Sequence, residues 1–127
     1  MKKKILIADD DPMFVELVSA RLRTEGFEVT AAFDSVHTLM IAMRLRPDAI
    51  LLDVKMPGGT GLDALQKLKR SSRTNCIPVV VASALDDPSL PYAVLGLGAA
   101  EFLRKPVTFD QVLVSLRRHL GLAESAA

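Results

Sequence analysis

The sequence has almost no means of cross-linking itself. Cys76 is its only cysteine, which excludes an intrachain disulfide and a thiolate metal cage and suits a reducing compartment. With no neighbour to lower its pKa, that thiol is expected to act as a small, partly buried apolar residue. No apolar run approaches the ~18 residues that a membrane span requires. The opening "MKKKILIADDD" starts like a secretion signal, yet its apolar part ends after Ala8 in three aspartates, too soon for a signal core. A cytoplasmic protein without membrane insertion is expected. Charge of one sign is missing too: the formal net charge is +1, and Lys and Arg are spread along the chain. Direct nucleic-acid binding needs a clustered basic face, so none is expected. Linkers, low-complexity blocks and short repeats are absent. The 127 residues suit one domain, read as residues 1–121 with a frayed tail at 122–127.

What the chain does have is short apolar runs alternating with amphipathic stretches. Ile5–Ala8 reads as a strand. Asp11 then caps a helix with Pro12 at its first position, where a missing N–H costs nothing. Phe14, Leu17, Val18 and Leu22 form its apolar stripe, and Gly26 ends it. Residues 27–33 alternate weakly, as a half-exposed edge strand does. Asp34 or Ser35 caps a second helix bearing Val36, Leu39, Met40 and Met43, which stops before Pro47. Residues 48–52 and 78–82 are unbroken apolar strands, separated by the turn-rich "VKMPGGTG" and a helix with Leu62, Leu65 and Leu68. Pro88 and Pro91 push the start of the fourth helix to about Pro91, with a stop at Gly98. Residues 100–103 form a fifth strand, and residues 109–120 a last helix.

Strands alternating with helices imply an α/β fold: a doubly wound, five-stranded parallel sheet covered on both faces. The continuous runs belong in its centre, which fits the flavodoxin-like order 2-1-3-4-5. Ligands of such sheets gather at the carboxyl ends of the central strands. Those ends carry Asp9 and Asp10, then Asp53, then Ser83, then Lys105. Crowded aspartates repel one another, and a hard divalent cation relieves the repulsion; Mg²⁺, or Mn²⁺ in its place, prefers such oxygens and bridges to phosphoryl groups. An acidic pocket with one amine and one hydroxyl suits phosphoryl transfer, with a carboxylate attacking in line. Asp53, ending the most central strand, is the best nucleophile. Asp9 and Asp10 then hold the metal, while Asp11 is left to its cap.

The segments "ILIADDDP", "AILLDVKMPGGTG", "PVVVASA" and "GAAEFLRKP", in this order and at these separations, resemble the receiver domain of two-component response regulators over essentially the whole chain. By that resemblance Asp53 is the phosphoacceptor, Asp10 a direct Mg²⁺ ligand, and Asp9 a ligand mostly through water. The backbone carbonyl of Lys55 is a further ligand, Ser83 the switch hydroxyl and Lys105 the phosphoryl-binding lysine. Phe102 matches the switch aromatic, although an ordinary core role on an edge strand is an equal reading. Pro106 fits a Lys-Pro pair that is often cis. The resemblance further implies a signalling switch rather than a turnover enzyme. A histidine kinase or histidine phosphotransfer protein is the phosphodonor. The output runs to a downstream protein or a further domain through the face of helix four, strand five and helix five.

Several positions depart from the family pattern. Lys55 and Leu85 border the site, two residues after Asp53 and Ser83, and influence the lifetime of the acyl phosphate. Two prolines alter the fourth helix, and the near-neutral charge is less acidic than the family would suggest. An aspartyl-nucleophile phosphatase on a similar sheet is the alternative enzyme, but it places an acid/base aspartate where Lys55 stands. A nucleotide or flavin module lacks its glycine motif after strand one. Met13 and Val15 lie off the stripe of helix one beside the acidic pocket; Met13 and Phe14 are candidates for donor docking. His37, His119 and the Arg117–Arg118 pair read as surface residues on helices, the arginines suiting a helix end or a partner patch.

Overall fold

The computed structural model describes residues 2–55 and 61–122. Along the chain run β1 (Lys4–Ala8), α1 (Pro12–Thr24), β2 (Glu28–Ala32), α2 (Ser35–Leu45) and β3 (Ala49–Leu52). Then follow α3 (Gly61–Arg70), β4 (Val79–Ser83), α4 (Leu90–Gly96), β5 (Glu101–Arg104) and α5 (Phe109–His119). All pairings are parallel, in the expected order β2-β1-β3-β4-β5. The turn expected over residues 56–60 lies outside the described residues, as does the tail apart from Leu122.

Side-chain alternation along the strands sorts the core into two layers. Ile5, Ile7, Leu51, Val80 and Ala82 pack under α1 and α5 with Val18, Leu22, Val112 and Leu116. Leu6, Ala8, Ile50, Leu52, Val79 and Val81 face the other way, against Leu65, Leu68, Leu90 and Val94. Every residue of β3 and β4 is buried, which explains their unbroken apolar runs. The β2 edge is half-exposed.

Helix ends follow the capping chemistry. Asp11 accepts from the Met13 N–H at 3.1 Å, and Asp34, rather than Ser35, accepts from the His37 N–H at 2.8 Å. Thr108 and Gln111 form a reciprocal capping box at the start of α5. Gly98, at φ 106°, takes the left-handed turn after α4 that a side chain would resist.

Four sequence-level expectations fail. Leu17 is 62% exposed while Val15 is buried, so the inner stripe of α1 runs through Val15, Val18, Ser19 and Leu22. On α2, Val36 and Met40 point to solvent and the small residues Ser35, Thr38 and Ala42 are buried instead. Cys76 is exposed, not partly buried. His119 is no free surface residue: its Nε2 lies 2.9 Å from Glu101 Oε1, beside Ser115 and Arg118 on the same oxygen. His37 stays at the surface as expected, with its Nδ1 2.7 Å from Asp34 Oδ2.

The spread of basic residues along the chain also changes meaning in three dimensions. Arg21, Arg23, Arg44, Lys67, Arg70 and Arg118 sit in last turns of helices. Since each helix runs back against the strands, these charges collect at the end of the sheet opposite the aspartates, where they suit the helix dipoles.

Candidate functional site

Strand register builds the site. Ala8 pairs with Leu52, so the next residues, Asp9 and Asp53, emerge level on adjacent central strands. Ser83 pairs with Arg104, so Lys105 leaves the sheet one step beyond. Alternation turns Asp9, Asp53 and Lys105 to the α1/α5 face, since each lies two residues after a member of that layer: Ile7, Leu51 and Leu103. The three side chains meet there. Lys105 Nζ donates to Asp9 Oδ2 at 2.6 Å and to Asp53 Oδ2 at 3.3 Å.

Both carboxylates are buried, Asp9 at 2% exposure and Asp53 at 7%. Each gives its other oxygen to a backbone N–H. Asp9 Oδ1 accepts from Asp11 at 3.0 Å, and Asp53 Oδ1 accepts from Lys55 at 2.9 Å. Burial pushes the Asp9 carboxyl above its ordinary 3.8, with the Asp53 charge adding to the rise; bonds from Lys105 and the Asp11 N–H only partly offset it. For Lys105 the balance runs the other way. Burial pulls the amine down, yet the bond to Asp9 and the charges of Asp53 and Asp9 outweigh it and hold the amine above 10.5. The two directions agree physically: one ammonium is shared by two carboxylates, so it gains twice what it returns to either.

Asp10 is exposed, and one oxygen of each of Asp9, Asp10 and Asp53 lies within 4.8 Å of the others. Three hard oxygen donors at that spacing fit Mg²⁺, which takes one or two carboxylates and keeps water on its remaining positions. The side chains of Asp9 and Asp53 are already engaged by Lys105 and backbone, which leaves Asp10 the freest donor.

Ser83 and Phe102 sit on the other side. Alternation turns them to the α4 face, where Phe102 packs against the core layer under α4. Ser83 is fully buried, and its Oγ accepts from the Leu85 N–H at 3.2 Å. Among the described residues no hydrogen bond joins Ser83 to the aspartates. The Arg104 guanidinium lies 5.3 Å from the Phe102 ring and donates to the Leu85 carbonyl. Leu85 is thus held to β5 through its backbone, a tether the sequence did not reveal. Lys55 is exposed. The Lys105–Pro106 bond is cis.

Two further contacts at the site escape a linear reading. Phe14 places its ring 4.1 Å from Lys105 Nζ. Gly61 opens α3 with its N–H on the Val54 carbonyl at 2.9 Å, directly behind Asp53; a helix-opening glycine after a turn-rich loop was the available signal. Beside the site, a groove of about 320 Å³ runs between α1 and α5, with Phe14, Leu17, Val107 and Phe109 in its walls. Val15, expected beside the pocket with Met13, is instead buried in the core, and Met13 is exposed.

Residues 5–117 match the response regulator receiver domain family. Response regulator PleD of Caulobacter vibrioides is 42% identical over 117 residues, which are 92% of this chain and 25% of PleD. RpaA of Synechocystis, a DNA-binding dual master transcriptional regulator, is 36% identical over 114 residues, 90% of this chain and 47% of RpaA. The chain therefore spans a quarter to about half the length of these relatives. The solved receiver domain of a Pseudomonas aeruginosa sensor histidine kinase superposes with a TM-score of 0.87 at 26% identity, covering 95% of this chain and 99% of that one. That structure has a magnesium ion coordinated in its active-site cleft.

Proposed function

The chain belongs to the response regulator receiver family, and from that premise we propose that it is a phosphorylation-controlled switch whose phosphoacceptor is Asp53. A carboxylate oxygen of Asp53 attacks the phosphorus of a phosphohistidine on a histidine kinase or phosphotransfer protein. The N–P bond breaks and the imidazole leaves with its electron pair. Lys105 is placed to pair with a phosphoryl oxygen, and Asp9, Asp10, Asp53 and the Lys55 carbonyl are the residues that would hold Mg²⁺. That ion, when bound, supplies charge neutralisation for the transferring group. Burial of Asp9 and Asp53 makes each fixed charge more effective than it would be in water.

The α1/α5 groove is the proposed seat of the donor, being apolar and directly beside the site. Ser83 and Phe102 are the proposed switch, carrying the change to the face of α4, β5 and α5. That face presents Tyr92 at 79% exposure together with Leu95, apolar surface suited to a partner or an output domain. No helix among the described residues is long and apolar enough to cross a membrane.

One observation carries this reading: a single lysine bridging two buried carboxylates that arrive level from adjacent strands. Incubation with a small acyl phosphate and Mg²⁺ should add one phosphoryl mass to the intact protein. Equal labelling of Asp53→Asn would show that the acceptor lies elsewhere.

A further inference from the structure

We propose that Phe14 is a positioning residue for Lys105, holding its ammonium at the site by a cation–π contact; this rests on the phosphoryl-binding role proposed above for Lys105. The ring centroid lies 4.1 Å from Nζ, inside the distance at which a ring face attracts an ammonium. The ring itself is anchored, since Phe14 packs against the core layer shared by α1 and α5, with Val107 and Phe109 beside it. Lys105 is largely buried, at 16% side-chain exposure, so the contact is partly shielded from water and gains strength accordingly.

The chemistry explains why such a contact is useful. Lysine is a flexible stem ending in a point charge, and its other two anchors are Asp9 and Asp53. Both are carboxylates that a cation or a phosphoryl group would engage during the reaction. Among the described residues, the aromatic ring is the one partner of the ammonium that carries no formal charge and takes no part in that exchange. It keeps the amine over the site while its carboxylate partners are drawn elsewhere. Phe14 also forms a wall of the groove between α1 and α5, so the same ring borders both the groove and the charged centre.

Two variants separate this role from ordinary packing. Phe14→Leu keeps an apolar side chain without a ring face, and Phe14→Tyr keeps the ring. In proton NMR without any divalent ion, the Lys105 ε-methylene signals of the wild type should be shifted upfield by the ring. The shift should persist in Phe14→Tyr and vanish in Phe14→Leu; an unchanged position in Phe14→Leu would overturn the contact. With a small acyl phosphate and saturating Mg²⁺, Phe14→Leu should lower the maximal labelling rate about 3- to 10-fold. Half-saturation by the donor should hardly move, and Phe14→Tyr should restore the rate. A lost NMR shift with an unaltered rate would overturn the positioning role. Labelling of Asp53→Asn at the wild-type rate would instead sink the acceptor assignment, while leaving the NMR result to stand for the contact alone.

Discussion

The ammonium of Lys105 lies 2.6 Å from Asp9 Oδ2, closing 96 residues of chain onto a buried charge. The same nitrogen reaches Asp53, so one cation compensates two carboxylates that water scarcely touches. Removing a partner from a buried ion pair leaves the other charge uncompensated, which costs more than the pair itself contributes. Lys105→Met should therefore lose about 3 kcal/mol of stability near neutral pH. Millimolar Mg²⁺ should return part of that loss, because it supplies the missing positive charge. Urea unfolding with and without Mg²⁺ measures both effects; equal midpoints for variant and wild type would refute the compensation.

Asp10 makes a different case. It is exposed, and among the described residues its side chain has no hydrogen-bond partner. Asp10→Ala should leave the metal-free protein unharmed, or slightly steadier through reduced repulsion. A cation that binds only the folded state stabilises it by about 2.7 kcal/mol at a hundredfold excess over its dissociation constant. Most of that gain should disappear in Asp10→Ala, with a smaller loss in Asp9→Ala, whose oxygens are already engaged. Thermal shifts across a Mg²⁺ titration give the order, and the reverse order contradicts the ligand assignment.

The sheet was legible in the sequence because β1, β3 and β4 are buried on both faces, and burial on both faces leaves an unbroken apolar run. The placing of Asp9 and Asp53 side by side was legible for a related reason, since each directly follows such a run, whereas Lys105 follows the mixed, partly exposed strand β5. The faces of α1 and α2 were not. Leu17 is large and apolar yet forms the rim of a groove, whereas α2 approaches the sheet and α3 through Ser35, Thr38 and Ala42. Close approach selects small residues, which a hydrophobicity count passes over. The Phe14–Lys105 and Glu101–His119 contacts depend on how helices sit against the last strand, and no local pattern encodes that.

Glu101 offers a test in acid. Its Oε1 accepts from Ser115 Oγ at 2.8 Å, His119 Nε2 at 2.9 Å and Arg118 at 3.1 Å, tying β5 to the end of α5. Burial alone would raise its pKa, but the Ser115 and His119 bonds and the Arg118 charge outweigh burial and hold it below the ordinary 4.5. A carboxylate with a lower pKa in the folded state contributes stability above its unfolded value and loses it as pH falls through the folded one. Glu101→Gln should thus cost about 1 kcal/mol at neutral pH and progressively less once the pH drops below 4.5. Urea midpoints for both proteins across this range should converge in acid; a constant gap would mean the charge is not what matters.

Gly61 shows how tightly the backbone behind Asp53 is built. A Cβ at this position would stand 2.2 Å from Val54 Cα and 2.7 Å from the Asp53 carbonyl oxygen. Both are main-chain atoms, so no rotamer change relieves the overlap. Either the start of α3 must move or the Asp53–Val54 segment must, and the latter carries the Lys55 N–H that holds Asp53 Oδ1. Gly61→Ala should cost about 2–3 kcal/mol and slow labelling of Asp53 by an acyl phosphate. Gly96→Ala is the matching control, since nothing lies within 4 Å of its added carbon and alanine suits a helix end. That variant should be as stable as the wild type or slightly more so, and label at the same rate. Urea midpoints and labelling rates for the pair decide the matter: if Gly61→Ala behaves like Gly96→Ala in both, the close approach of α3 does not position the aspartate.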